Sequence, residues 1–180
     1  MRIEPAGLDG VFLIQPDWHR DARGQFARLF DHRQFAAAGL VAQFDNASAS
    51  VSRLRHTLRG MHLQLAPARE AKLVRCVRGA LFDVALDLRP HSARFGAWAG
   101  HALSAENGAM LYVPEGFAHG FLTLADDTEA LYLTSAFHDP ARERGVRWDD
   151  PRFAIGWPAP PSVLSDKDRA WPDYAAAHFA

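Results

Sequence analysis

The feature of this chain that most restricts its fold is the rhythm of its turns. Asp21-Ala-Arg-Gly24, Arg78-Gly79, Arg89-Pro90, Glu106-Asn-Gly108, Pro114-Glu-Gly116 and Asp139-Pro140 punctuate it, with short runs rich in Val, Leu, Phe and Tyr between them. Glycine tolerates the left-handed backbone of tight turns, and proline removes a ladder donor, so such pairs end strands. Many short strands separated in this way point to an antiparallel sandwich or barrel. Strands are expected at Leu58–Leu65, Lys72–Val77, Leu81–Leu88, Met110–Val113, Gly120–Leu124 and Ala130–Phe137. Leu81–Leu88 shows the period: Phe82, Val84, Leu86 and Leu88 share one face, and Asp83, Ala85 and Asp87 the other. Helix is sparse. Asp31 to Leu40 fits a short helix with Asp31 as N-cap and Gly39 near its end, and Asp166–Arg169 fits another. The tail from Tyr174 to Ala180 is expected to be weakly tied.

Composition narrows the class. A chain of 180 residues suits one domain spanning 1–180. Twenty basic residues against 21 acidic ones leave a net charge of −1, without the basic excess of a nucleic-acid or membrane-surface binder. The single cysteine, Cys76, cannot form an intramolecular disulfide or a thiolate cluster. Met1 to Gln15 lacks a basic segment followed by a long apolar core, and no run of about 18 apolar residues occurs. A soluble cytoplasmic protein is the expectation.

Polar residues interrupt the strands. His62 and Gln64 alternate along one strand face, Lys72 opens another strand, and Asp83 and Tyr132 lie inside two more. Taken singly, each fits a solvated outer face. Turned inward together, they would line a polar pocket and require partners, because burying unpaired polar groups is costly. Among nine histidines, His62 and His119 stand out, each in an apolar strand context beside glycine. The segment Pro114-x-Gly116-x-x-His119 is similar to the second motif of cupins, the double-stranded β-helix barrels. The first cupin motif supplies two histidines one residue apart and then a glutamate. Here the pair reads His62-Leu-Gln64, and Glu70 lies at a looser spacing. Two histidines make a weak metal site, so a jelly-roll barrel working without metal is expected.

With these residues in view, the chain resembles the dTDP-4-dehydrorhamnose 3,5-epimerase family from about Gly10 to Pro172. The resemblance is carried by Asp21-Ala-Arg-Gly24-Gln-Phe, Asn46-Ala-Ser-Ala-Ser50, Leu58-Arg-Gly-Met-His-Leu-Gln64, Lys72-Leu-Val-Arg75 and Phe82-Asp-Val-Ala-Leu-Asp-Leu-Arg89. It continues through Leu103-Ser-Ala-Glu-Asn107, Val113-Pro-Glu-Gly-Phe-Ala-His-Gly-Phe121, Trp148-Asp-Asp-Pro151 and Leu164-Ser-Asp-Lys-Asp168. It implies a cupin-type, all-β jelly roll with a few short helices that epimerises a nucleotide-linked 4-keto-6-deoxyhexose at C3, C5 or both, without a cofactor. By the same resemblance, His62 is the base and Asp168 its orienting partner. Lys72 stabilises the enolate oxygen, and Tyr132 returns a proton across the ring. Arg23 and Arg59 match pyrophosphate-holding residues. Phe26, Gln43 and Asn46 fall near the nucleotide and sugar pocket, and His119 and Asp83 line it. A homodimer with N-terminal strand exchange is also implied.

The chain departs from the family pattern in three places. Arg28 stands where rhamnose-pathway members usually carry glutamate, the stretch between Asn46 and Arg59 is about three residues longer, and Phe137-His138 replaces a tyrosine pair. These departures bear on substrate identity and leave the proton-transfer residues in place. Two rival readings accompany this one: a metal-dependent cupin oxygenase or isomerase using His62 and His119, and a non-catalytic sugar-nucleotide binding module.

Overall fold

The alternation at Leu81–Leu88 becomes strand β8 in the computed structural model, which describes residues 1–179. In chain order the strands are β1 (Arg2–Pro5), β2 (Phe12–Gln15), β3 (His19–Asp21), β4 (Gly24–Phe26), β5 (Asn46–Ser52), β6 (Leu58–Gln64) and β7 (Lys72–Arg78). They continue with β8 (Ala80–Asp87), β9 (Trp98–Ser104), β10 (Met110–Val113), β11 (Phe117–Thr123), β12 (Thr128–Thr134) and β13 (Glu143–Gly145). Helix is confined to α1 (His32–Ala37), α2 (Asp166–Ala170) and a 3-10 turn at Ala176–His178. Strand makes up 41% and helix 8%, so the chain is all-β as expected.

One sheet has the order β13-β6-β11-β8-β9, and the other β1-β2-β10-β7-β12-β5. Their strand pairs are antiparallel, and the two sheets face each other as a cupin-like jelly roll. The hairpin β3–β4 belongs to neither sheet. Each expected strand is present. Strand β11 begins at Phe117 rather than Gly120, and β12 covers Thr128–Thr134 rather than Ala130–Phe137.

The interior between the sheets is divided. One end is hydrocarbon: Leu81, Ala85, Leu103, Phe117 and Phe121 from the first sheet meet Val74, Cys76, Leu111 and Val113 from the second. The other end holds the inward-facing polar residues. Strand β8 is buried on both faces. Its outward row, Phe82, Val84 and Leu86, packs with Met61, Leu63, Val146 and Phe153 beneath Trp157, Tyr174 and Phe179. This overturns the expectation of a weakly tied tail. The Tyr174 amide donates to Asp150 Oδ2 at 2.6 Å, and the Tyr174 ring lies 5.4, 5.7 and 4.9 Å from those of Phe95, Phe153 and Phe179. An apolar outer row needs a cover, and the aromatic tail supplies it. Ala180, the last residue of that expectation, lies outside the described residues.

Both expected helices form. Asp31 caps α1 by accepting from the amides of Arg33 and Gln34 at 3.0 and 3.2 Å. The helix ends just before Gly39, which takes a positive φ of 72°. Phe35 is buried against Ile14, Leu73, Met110 and Tyr112, which seats α1 on the outer face of the second sheet.

Candidate active site

Strand pairing assembles the polar end of the interior. His62 in β6 lies opposite His119 in β11. Lys72 opens β7 beside Thr134, and Tyr132 sits in β12 between Val74 of β7 and Ser48 of β5. The first two residues belong to one sheet and the last two to the other. The approach of β6 to β11 depends on glycine. Gly60 has φ of 129°, and a Cβ placed there would lie 2.5 Å from Gly120 Cα. A side chain at this position would push β6 off β11 and carry His62 with it.

Two compartments open between the sheets. The first, about 450 Å³, is lined by Ser50, Arg59, His62, Lys72, His119, Tyr132 and Asp168, among others. The second, about 430 Å³, is lined by Asn46, Ser48, Gln64, Glu70, His138 and Glu143, together with the shared trio His62, Lys72 and Tyr132. These three residues therefore stand where the compartments meet.

His62 Nε2 lies 2.6 Å from Asp168 Oδ1. Asp168 is presented by α2, whose N-cap Ser165 accepts the Asp168 amide at 3.0 Å, and its second oxygen accepts from the Gly60 amide at 3.4 Å. Burial pushes the Asp168 carboxyl upward. The hydrogen bond and charge of His62, followed by the Gly60 and Ser165 contacts, outweigh that push and hold it below the usual carboxylate range. An ionised carboxylate only accepts, so Nε2 of His62 carries a proton, and in the neutral ring that leaves the lone pair on Nδ1. The imidazole is 27% exposed, enough for a substrate to reach.

His119 forms a parallel pair deeper in the barrel, with Nε2 2.7 Å from Asp83 Oδ1. His119 is 8% exposed and Asp83 fully buried, and Asp83 Oδ2 has no hydrogen-bond partner among the described residues. Both imidazole Nε2 atoms thus face carboxylates. Among the described residues, no group of three or more His, Cys, Asp or Glu side chains is arranged to hold a metal ion.

Lys72 Nζ lies 3.2 Å from Glu70 Oε1. Arg59, at the rim, reaches from β6 to β5, donating to Ser52 Oγ at 3.4 Å and to the Val51 carbonyl at 3.3 Å. Asn46 donates to the Ala136 carbonyl at 3.1 Å, and His138 Nε2 approaches Glu143 at 3.9 Å, both beside the second compartment.

Four sequence-selected residues lie elsewhere on the chain. Arg23 is turned back onto Asp21 at 2.6 Å, and Phe26, also on the β3–β4 hairpin, is 69% exposed. Arg28 pairs with Asp31 at 3.0 Å, and Gln43 is exposed. None of the four lines either compartment of its own chain.

Sequence reading also passed over participants. In the sequence Glu70 stands out only as a loose metal-motif position, although its two-residue spacing from Lys72 suits one strand face. Lys167, next to Asp168, bonds both Glu143 oxygens at 2.6 Å and clamps α2 to β13. The Trp171 ring packs edgewise against His62, with the ring centroids 6.2 Å apart.

Comparison with known proteins identifies the family. A family model described as dTDP-4-dehydrorhamnose 3,5-epimerase matches residues 5–176. The chain belongs to that family. It is 44% identical to the dTDP-4-dehydrorhamnose 3,5-epimerase of Sinorhizobium fredii, over 96% of this chain and 89% of that one. It is 41% identical to the dTDP-4-dehydrorhamnose 3-epimerase of Streptomyces niveus, over 94% and 82%. The crystal structure of dTDP-6-deoxy-D-glucose-3,5-epimerase from Legionella pneumophila, in complex with dTDP-4-keto-L-rhamnose, superposes with a TM-score of 0.90 at 34% identity, over 96% and 92%. As a member of the epimerase family the chain is an isomerase. The metal-dependent oxygenase and the non-catalytic binding module receive no support from these comparisons. No helix among the described residues is long and apolar enough to cross a membrane.

Proposed function

We propose that this chain converts dTDP-4-dehydro-6-deoxyglucose into dTDP-4-dehydrorhamnose by inverting C3 and C5. The observation that carries the reading is the placement of His62 on one sheet and of Lys72 and Tyr132 on the other, around one cleft. A flat sugar ring between two sheets exposes one face to each. Inversion requires that asymmetry, because a proton must leave one face and return to the other.

The C4 ketone acidifies the hydrogens on C3 and C5. His62 Nδ1 takes the proton from carbon, the C–H electron pair forms the double bond to C4, and the carbonyl π pair moves onto O4 to give the enolate. Asp168 stabilises the imidazolium that forms. The Lys72 ammonium faces the enolate oxygen, where one fixed donor is worth about 3–4 kcal/mol. Tyr132 gives its phenolic proton to the opposite face of C5, after which phenolate and imidazolium exchange protons with solvent. At C3 the same base works, and water returns the proton.

The remaining assignments follow the substrate outward. Arg59 holds the pyrophosphate, His119 and Asp83 order the sugar end, and Asn46 and His138 flank the second compartment. Arg23, Phe26, Arg28 and Gln43 serve the nucleotide in a homodimer with exchanged N-terminal strands. The projecting hairpin supports this reading, since it offers a guanidinium and an exposed ring that its own cleft does not use. The setting is cytoplasmic, where nucleotide-linked sugars are at hand.

Incubation in D₂O with dTDP-, CDP- and GDP-linked 4-keto-6-deoxyhexoses, followed by NMR, tests the proposal. The dTDP sugar should gain deuterium at C3 and C5 and finish in the rhamno configuration. The likeness to a 3-epimerase favours one alternative, inversion at C3 alone, in which C5 keeps its hydrogen. Wild-type exchange by His62→Ala would remove the assigned base.

A further inference from the structure

We propose that Glu70 is a positioning residue for the reaction, aiming the Lys72 ammonium at the enolate oxygen, with Gln64 holding Glu70 in turn. The inference rests on the reading of Lys72 given above. A lysine side chain has a long flexible stem, so an ammonium in a cleft needs something to fix its direction. The Lys72 and Glu70 side chains are only 12% and 11% exposed, and their charged atoms meet at 3.2 Å. One ammonium proton directed at Glu70 leaves two for the cleft.

Glu70 is itself held. Its Oε2 accepts from Gln64 Nε2 at 3.2 Å. Gln64, 3% exposed, cannot turn its amide over without loss. Its Oε1 accepts from the Asp139 amide at 2.6 Å, while the two protons of Nε2 are shared among Glu70 Oε2 and the carbonyls of Ala68 at 2.9 Å and Phe137 at 3.2 Å. The end facing Glu70 is therefore a donor, and Glu70 is oriented as an acceptor. Other titratable groups lining the compartment that Lys72 shares with Glu70 are His62, Tyr132, His138 and Glu143. Lys72 also faces Arg59, His119, Lys167 and Asp168 across the first compartment, and the 3.2 Å contact leaves room for none of them between Glu70 and the ammonium. The Glu70 charge, taken alone, opposes an enolate nearby. Its benefit must then come from geometry, which separates the two effects by experiment. A neutral acceptor of the same length should preserve the benefit.

A double-mutant cycle with Lys72→Ala, read as turnover and as deuterium entry into the dTDP-linked sugar, decides the matter. Glu70→Ala should lower kcat by about tenfold with KM within about twofold, as expected for an interaction made only in the transition state. Glu70→Gln should recover kcat to within about threefold of wild type, since its amide oxygen still accepts from Lys72, while Gln64 loses only the Glu70 contact and keeps the Ala68 and Phe137 carbonyls as acceptors for its two amide protons. In the Lys72→Ala background, Glu70→Ala should change kcat by less than about twofold. An undiminished tenfold loss in that background would overturn the proposal and mark Glu70 as general support for the fold. Should Glu70→Ala not fold, Glu70→Asp completes the same cycle, with the carboxylate withdrawn by one methylene. It should lower kcat only when Lys72 is present, and an equal loss in both backgrounds again overturns the inference. Full activity in Lys72→Ala alone would instead defeat the underlying assignment of Lys72, a result distinct from either outcome for Glu70.

Discussion

Two histidine–aspartate pairs occupy neighbouring strands, and by hydrogen-bond length they are almost the same, 2.6 Å for His62–Asp168 and 2.7 Å for His119–Asp83. They differ in where the carboxylate comes from. Asp83 is built into β8, fully buried, with one oxygen unpartnered among the described residues. Asp168 arrives on a short helix 106 residues after His62, and both its oxygens are engaged. The rings differ as well, with 27% of the His62 side chain exposed against 9% for His119. A hydrogen bond orients an imidazole in either place. Both rings line the first compartment, and the more exposed of the two, His62, is the base in the reaction proposed above.

Replacing each histidine in turn is the strongest way to break this comparison. His62→Asn should lower kcat by about 10²–10⁴-fold while nucleotide binding persists, the range for losing a positioned base. His119→Asn should cost less than about tenfold in kcat and act mainly on stability, by about 1–3 kcal/mol, because it leaves Asp83 buried without its partner. Deuterium exchange and thermal melting, measured side by side, check both. A larger kinetic loss at His119 would reverse the roles.

The aspartates sharpen the contrast. Asp168→Asn keeps the shape but removes the charge and replaces one accepting oxygen with a donor. The Gly60 amide and His62 Nε2 then compete for the one acceptor left, the His62 tautomer is no longer fixed, and kcat should fall about 10²-fold or more. The carboxyl of Asp168 lies below its ordinary 3.8 in the folded chain. Its contribution to stability is therefore fully present above that value and is lost as pH falls through the lower folded value. The stability gap between wild type and Asp168→Asn should stay constant above about pH 5 and close below pH 4 in urea titrations. The smallest effect belongs to the clamp behind Asp168. Lys167 is half exposed, and an exposed ion pair is worth about 0–1 kcal/mol, so Lys167→Ala should lower kcat by less than about threefold.

Much of the frame is legible in the sequence because it is local. Period two marks β8, and Asp31 with Gly39 brackets α1. Strand β5 is not legible in that way. Its Asn-Ala-Ser-Ala-Ser-Val-Ser run has little strand propensity, and it exists as a strand because β12 pairs along its whole length. Small side chains there leave room for the cleft. Asp168 likewise has no local signature as a partner of His62, since only folding brings α2 to β6, and family resemblance alone named it. Glu70 was visible but was weighed against a metal motif instead of against Lys72. The residues on the β3–β4 hairpin are legible as surface chemistry, whereas the use proposed for them requires a second copy of the chain.

The divided interior has a mechanical consequence. Because the proposed base and acid hang from opposite sheets, the hydrocarbon end of the sandwich sets the gauge of the wet end. Close-packed side chains transmit a change of one methylene as a shift of the walls around them. Val74 and Leu111 touch no substrate in the reaction proposed here, yet their volumes help to determine the width of the slot that must grip a ring on both faces. Adjusting such packing offers a route to a cleft fitted to a different sugar without altering any group that handles a proton.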